Sequence, residues 1–140
     1  MASTNVSMEI AAPADKVWQL IGGFNSLPDW LPYIPASELS EGGRVRSLAN
    51  PSGEAIIERM EAFSEKERSY SYAILQAPFP VTGYLSTLRV RDGADGKSVV
   101  DWSGSFTPDG VSDEEAIKLF HGIYHDGLTA LQRHFSASGQ

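Results

Sequence analysis

The sequence contains no cysteine, which excludes disulfides and thiolate chemistry and fits a reducing compartment. It also lacks any cluster of Lys or Arg. Eleven basic residues stand against 18 acidic ones, for a net charge of −7. Such a chain repels a phosphate backbone, so nucleic acid is not an expected partner. No apolar run approaches the roughly 20 residues of a membrane span. The opening MASTNVSMEI lacks the basic and apolar regions of a signal peptide. The expectation is a cytoplasmic protein without a membrane span. No internal repeat is present. What remains is ordinary globular composition, 41% hydrophobic and 21% charged over 140 residues. That length suits one domain, 1–140, with a real core and a flexible tail, SASGQ, at 136–140.

Periodicity divides the chain clearly. Val6, Met8 and Ile10 alternate with Ser7 and Glu9, which predicts a half-buried strand over 4–11. Pro13 opens a short helix with Val17, Trp18 and Ile21 on one side, ended by Gly22-Gly23. The segment FNSLPDWLPYIP, with Pro28, Pro32 and Pro35, precludes a long helix; one helical turn around 25–31 is expected. Turn signals then separate strands at 37–41, 44–49, 54–63, 68–76, 82–92 and 97–107. Their short connections imply an antiparallel meander. Ser112 with Glu115 three residues on forms a capping box. It starts a helix to about 135, with Ile117, Phe120, Tyr124, Leu128, Leu131 and Phe135 as its apolar stripe. The fold class is α+β: two short helices after the first strand and a curved seven-stranded antiparallel sheet wrapped around a long C-terminal helix. Where helix and sheet do not touch, a pocket forms.

The strand AIIERMEAF at 55–63 holds three charges. Side chains alternate faces along a strand. Ile56, Glu58, Met60 and Ala62 carry one charge, and the odd set carries two of opposite sign, so the even face suits the interior with Glu58 as its exception. A buried carboxylate must be paired, hydrogen-bonded or neutralised, and burial raises its pKa. Tyr72, Tyr84 and Trp102, or Arg44 or Arg46, are the available partners. Glu58 then either shapes the interior or meets a polar group of a ligand; acid–base work is the third option. The same parity places Tyr70, Tyr72 and Ile74, then Tyr84, Ser86, Leu88 and Val90, then Val100, Trp102, Gly104 and Phe106 on the inner face. Gly104 makes room where a ligand or helix comes close.

The order of these pieces resembles the START-like, or Bet v 1-like, superfamily with its helix-grip fold, and within it the bacterial polyketide cyclase/dehydrase-type branch. The resemblance rests on WxxIGGF at 18–24, DWLP at 29–32, GxVR at 43–46, IERMEAF at 57–63 and RSYSY at 68–72. It continues through PFPVTGYLSTLRV at 78–90 and VxWSGSF at 100–106, so it covers nearly the whole chain. The plant abscisic-acid receptors are similar at greater distance. By that resemblance their cavity glutamate and tyrosine correspond to Glu58 and Tyr84, while Leu31 stands where their carboxylate-binding lysine would be. The turn at 50–53 is shorter than their gate, and the glycine-rich loop of the plant allergens is missing. The resemblance implies a cavity protein and does not transfer a reaction.

The expected function is binding of a small hydrophobic or amphipathic ligand, aromatic or polyketide-like among the options, with no cofactor. Trp30, Glu58, Tyr72, Phe79, Tyr84, Trp102, Phe120 and Tyr124 are the candidate ligand-site residues, and Glu58 is also the candidate acid–base. Phe79, between two prolines in APFP at 77–80, is expected as an exposed apolar tip that closes the mouth as a lid. One alternative is a cyclase, aromatase or dehydratase using Glu58 and cavity tyrosines; another is a stress or interaction module with an incidental cavity. His121 and His125 have HxxxH spacing, but Gly122 follows the first His and no third ligand is in sight, so no metal is expected. Ser103, Ser105 and Thr107 have no His–Asp partners at readable spacing for a nucleophilic triad.

Overall fold

The computed structural model describes residues 2–31, 34, 36–49 and 56–137. In chain order these form β1 (Ala2–Ile10), α1 (Ala14–Ile21), α2 (Leu27–Trp30), β2 (Ala36–Ser40), a 3-10 turn (Glu41–Gly43), β3 (Val45–Ala49), β4 (Ile56–Ser64), β5 (Ser69–Gln76), β6 (Val81–Asp92), β7 (Ser98–Pro108) and α3 (Asp113–Ala137). The seven strands make one antiparallel sheet in the order β1-β7-β6-β5-β4-β3-β2. This is the α+β helix-grip arrangement. Strand ends differ from the sequence reading by a residue or two. The turn at 50–53 lies outside the described residues, as do Pro32, Tyr33 and Pro35. The expected tail is shorter than read: residues 136 and 137 continue α3, and 138–140 lie outside the described residues.

Local chemistry explains the long helix. The Ser112 Oγ accepts from the Glu115 N–H, and the Glu115 carboxylate accepts from the Ser112 N–H, closing the capping box. Asp113, Glu114 and Glu115 place negative charge at the helix start. The apolar stripe of Phe120, Tyr124, Leu128 and Leu131 is fully buried. Each such side chain contributes about 1.5–3 kcal/mol through burial. The helix packs chiefly along β1 and β7, and the Gln132 amide donates to the Glu9 carbonyl at 3.0 Å. That off-centre seat matters for function. The half of the sheet made by β3, β4 and β5 faces a gap, closed on another side by Leu27, Leu31 and Ile34.

Inner-face parity holds along β5, β6 and β7, where Tyr70, Tyr72, Tyr84, Ser86, Leu88, Val90, Val100, Trp102 and Phe106 are buried. In β4 it holds only as far as Met60. A register shift between Met60 and Ala62 turns the strand over. Ala62 is therefore exposed, and Phe63, itself 49% exposed, turns its ring to that of Trp18, 5.7 Å away.

A cavity built around a buried ion pair

The gap is a cavity of about 230 Å³. Strand residues on its sheet side include Leu48, Ile56, Tyr72, Tyr84 and Trp102. Phe120, Ile123 and Tyr124 come from α3, and Leu27, Leu31 and Ile34 close the remaining side. Most of this lining is buried; the half-buried Ile74, Phe79 and Ile123 mark where the cavity approaches solvent. Phe79 is not an exposed tip. It folds inward and meets Phe120 edge-on at 5.3 Å, because an apolar ring beside an apolar cavity mouth gains more by burial than by exposure.

Two charged side chains line the cavity among the described residues, Arg46 and Glu58. They occupy directly paired positions of β3 and β4, and Arg46 Nε donates to Glu58 Oε1 at 2.8 Å. Arg46 is 1% exposed and Glu58 6%. Neutral groups also hold the guanidinium. It donates to the Phe24 carbonyl at 3.0 Å and to the Tyr70 hydroxyl at 3.3 Å. Its Cζ lies 4.1 Å from the centre of the Phe24 ring and 4.8 Å from that of Tyr72, within cation–π range. Burial opposes the Arg46 charge, but Tyr70, Glu58 and Tyr72 outweigh it and its pKa is raised. The Glu58 carboxyl is also held above its ordinary range, because burial outweighs the pull of Arg46.

Glu58 is thus paired by Arg46 rather than by Tyr72, Tyr84 or Trp102, and Arg44 is exposed. The tyrosines and the indole instead bond to one another around Ser86. Trp102 Nε1 donates to Ser86 Oγ at 3.1 Å and to the Tyr72 hydroxyl at 3.2 Å. The Tyr124 hydroxyl donates to Ser86 Oγ at 3.5 Å, the Tyr84 and Tyr124 hydroxyls bond to each other, and Ser86 Oγ donates to the Ser103 carbonyl at 2.7 Å. Burial pushes the Tyr72 and Tyr84 hydroxyls well above their usual pKa, and Tyr124 up to about 12. These hydroxyls therefore stay protonated and act as hydrogen-bonding groups rather than bases. What comes close at Gly104 is α3: a Cβ there would collide with the Tyr124 hydroxyl.

All the expected ligand-site residues line the cavity except Trp30. Leu27 and Leu31, at the two ends of the α2 turn, line the cavity, and Trp30 does not. It is buried behind the wall, its ring 5.9 Å from that of Trp102. Sequence reasoning missed Arg46 as a lining residue, although Arg46 and Leu48 alternate on one face of β3. It also missed Leu27, Ile34 and Ile123; the first two lie in a segment without periodicity. His121 and His125 are exposed, with rings stacked 6.3 Å apart. Among the described residues no group of three or more His, Asp or Glu could hold a metal ion, and no helix is long and apolar enough to cross a membrane.

A helix gripped by a curved sheet, with an ion pair and hydroxyls inside an apolar cavity, is a helix-grip fold with an internal pocket. The chain belongs to the family described as polyketide cyclase / dehydrase and lipid transport, which matches residues 1–136. It is similar to the structure of the protein XoxI from Bacillus cereus, at 64% identity, covering 100% of this chain and 99% of that one, with a TM-score of 0.97. A putative uncharacterized protein from Bacillus thuringiensis is 67% identical over 96% of this chain and 98% of that one, with a TM-score of 0.94. A START superfamily protein from Mycobacterium smegmatis shares the fold at 15% identity, with a TM-score of 0.80 over 98% of this chain and 99% of that one. No curated protein matches the chain.

Proposed function

We propose that this protein binds a small hydrophobic or amphipathic molecule in the cavity between the sheet and α3. The observation that carries this reading is the combination of an apolar wall with polar groups set deep inside it. A plain core rarely gathers three tyrosine hydroxyls, an indole N–H and an ion pair around empty space. Phe79, Phe120 and Trp102 would supply apolar contact, and Glu58, Tyr72, Tyr84 and Tyr124 would orient the polar end. The volume sets the scale. An apolar cavity of about 150 Å³ takes benzene, so about 230 Å³ suits one ring with substituents, or a short chain. The test is equilibrium dialysis of single-ring phenols, aromatic acids and short fatty acids against the wild type and Ile123→Trp, which fills the cavity from α3. Retention by the wild type and loss in the variant support the reading; equal retention contradicts it.

A second reading, a cyclase or dehydratase, draws on Glu58, whose raised carboxyl stands in the same cavity as neutral hydroxyl donors. In that case a bound compound is recovered chemically changed by the wild type and unchanged by Glu58→Gln, with binding kept.

A further inference from the structure

Arg46 and Glu58 are unequal partners. The guanidinium is held by the Phe24 carbonyl, the Tyr70 hydroxyl and the faces of Phe24 and Tyr72, none of which is charged. Among the described residues, the hydrogen bond that Glu58 accepts comes from Arg46. The cation therefore stays in place if the carboxylate lets go, and Arg cannot release its proton to relieve the loss. The cavity thus holds a positive charge kept in place by neutral groups, beside a carboxylate bonded to it at 2.8 Å, with space for a molecule of about one ring.

Two carboxylates cannot share one buried cation without a proton, since like charges at close range in low dielectric disfavour a second ionisation. The groups around the ion pair bear this out element by element. Arg46 on β3, Tyr72 on β5 and Tyr124 on α3 interact with Glu58; Tyr70 of β5 holds Arg46, and Tyr84 of β6 and the apolar Leu27 of α2 line the same cavity. Among the described residues lining the cavity, Arg46 supplies the positive charge, and the tyrosines are neutral.

Resting on the cavity reading above, we propose that the ligand is a compact carboxylate, one ring or a short chain, which pairs with Arg46 while Glu58 takes up one proton from solvent. The balance is simple: ligand carboxylate and one proton enter, the Arg46–Glu58 ion pair becomes an Arg46–ligand ion pair, and Glu58 becomes a neutral acid able to donate a hydrogen bond. Glu58 is disposed to accept the proton, since burial already holds its carboxyl high.

The test uses benzoate, phenylacetate and cinnamate beside their neutral amides. Calorimetry in buffers of different ionisation enthalpy, from about pH 6 to about pH 9, counts protons taken up on binding. The proposal expects about one proton per carboxylate, and affinity falling about tenfold per pH unit where free Glu58 is ionised. Glu58→Gln should bind the same acids at least as tightly, with no proton uptake and a flat pH profile. Amides that bind while the acids do not, or acids that bind without proton uptake at any pH, overturn the proposal and leave the cavity reading standing. If neither acids nor amides bind, the proposal falls, and the cavity reading falls with it only if phenols and short fatty acids are not retained either.

Discussion

Arg46 and Glu58 sit opposite one another on neighbouring strands and meet at 2.8 Å inside a cavity, both almost fully buried. Cross-strand pairing sets the contact: the register of β3 against β4 fixes which residues face each other, and the inner face of both strands turns the pair inward. Desolvating two charges is costly, and a buried pair of this kind is weak evidence for stability. The consequences can be measured.

Removing the cation should cost more than replacing both charges. Arg46→Met leaves a buried carboxylate without its partner, and about 3–5 kcal/mol of stability should be lost. Arg46→Met/Glu58→Met should recover much of it. The loss in Arg46→Met should shrink at low pH, where Glu58 can take a proton. Urea denaturation of the three proteins at two pH values checks this.

Stability should carry a pH signature of Glu58. Its carboxyl is held above the ordinary value of 4.5 in the folded protein, so the folded state keeps a proton that the unfolded chain releases. This contribution is therefore complete below about 4.5, declines as pH rises toward the folded value, and is flat beyond, with a slope of at most about 1.4 kcal/mol per pH unit. Asp101 acts in the opposite sense, because although burial works against its charge, Arg91 and Ser7 hold its carboxyl low. The difference between wild type and Glu58→Gln cancels Asp101 and isolates Glu58. Thermal unfolding across pH should show that difference shrinking or reversing as pH rises.

Gly104→Ala should destabilise the protein by about 1–3 kcal/mol, the usual cost of overpacking, because the added Cβ meets the Tyr124 hydroxyl. Tyr124→Phe in the Gly104→Ala background should recover a large part of this, since the Tyr124 Cζ stands 3.2 Å from that Cβ. A double-mutant cycle reads the coupling directly.

The cavity tyrosines should ionise late. Spectrophotometric titration at the phenolate band should show Tyr124 changing near pH 12, with Tyr72 and Tyr84 still protonated well above pH 10. Tyr124→Phe should remove its step and ease those of Tyr72 and Tyr84 downward, since Tyr124 helps hold both up.

The legible part of this molecule was whatever repeats. Alternation along β5, β6 and β7 gave the inner face residue by residue, and 3–4-residue spacing gave α3 and its cap. Two things defeated the pattern. The register shift after Met60 reverses β4 within one residue, and Ala62 and Phe63 exchange faces without any Gly or Pro to announce it. Between 25 and 36 there is no period, so no pattern set Leu27, which lines the cavity, apart from Trp30, which stands behind it, and only the resemblance marked Leu31. Glu58 was visible because a charge on an apolar face is an exception. Its partner Arg46 was visible only as one of several options, because which strand positions face each other depends on register, and register depends on the chain between the strands.

The central claim, that the cavity is a ligand site, is tested most directly by the tryptophan indole N–H signals during a titration with cinnamate. The chain has 3 Trp, and they report on different places. Trp102 Nε1 bonds inside the cavity to Tyr72 and Ser86, whereas Trp18 Nε1 bonds to Glu65 at 3.0 Å away from it. The expected result is a saturable shift of the Trp102 indole with Trp18 unmoved. A ligand that binds while the Trp102 signal stays fixed, or moves no more than that of Trp18, would place binding elsewhere and contradict the account.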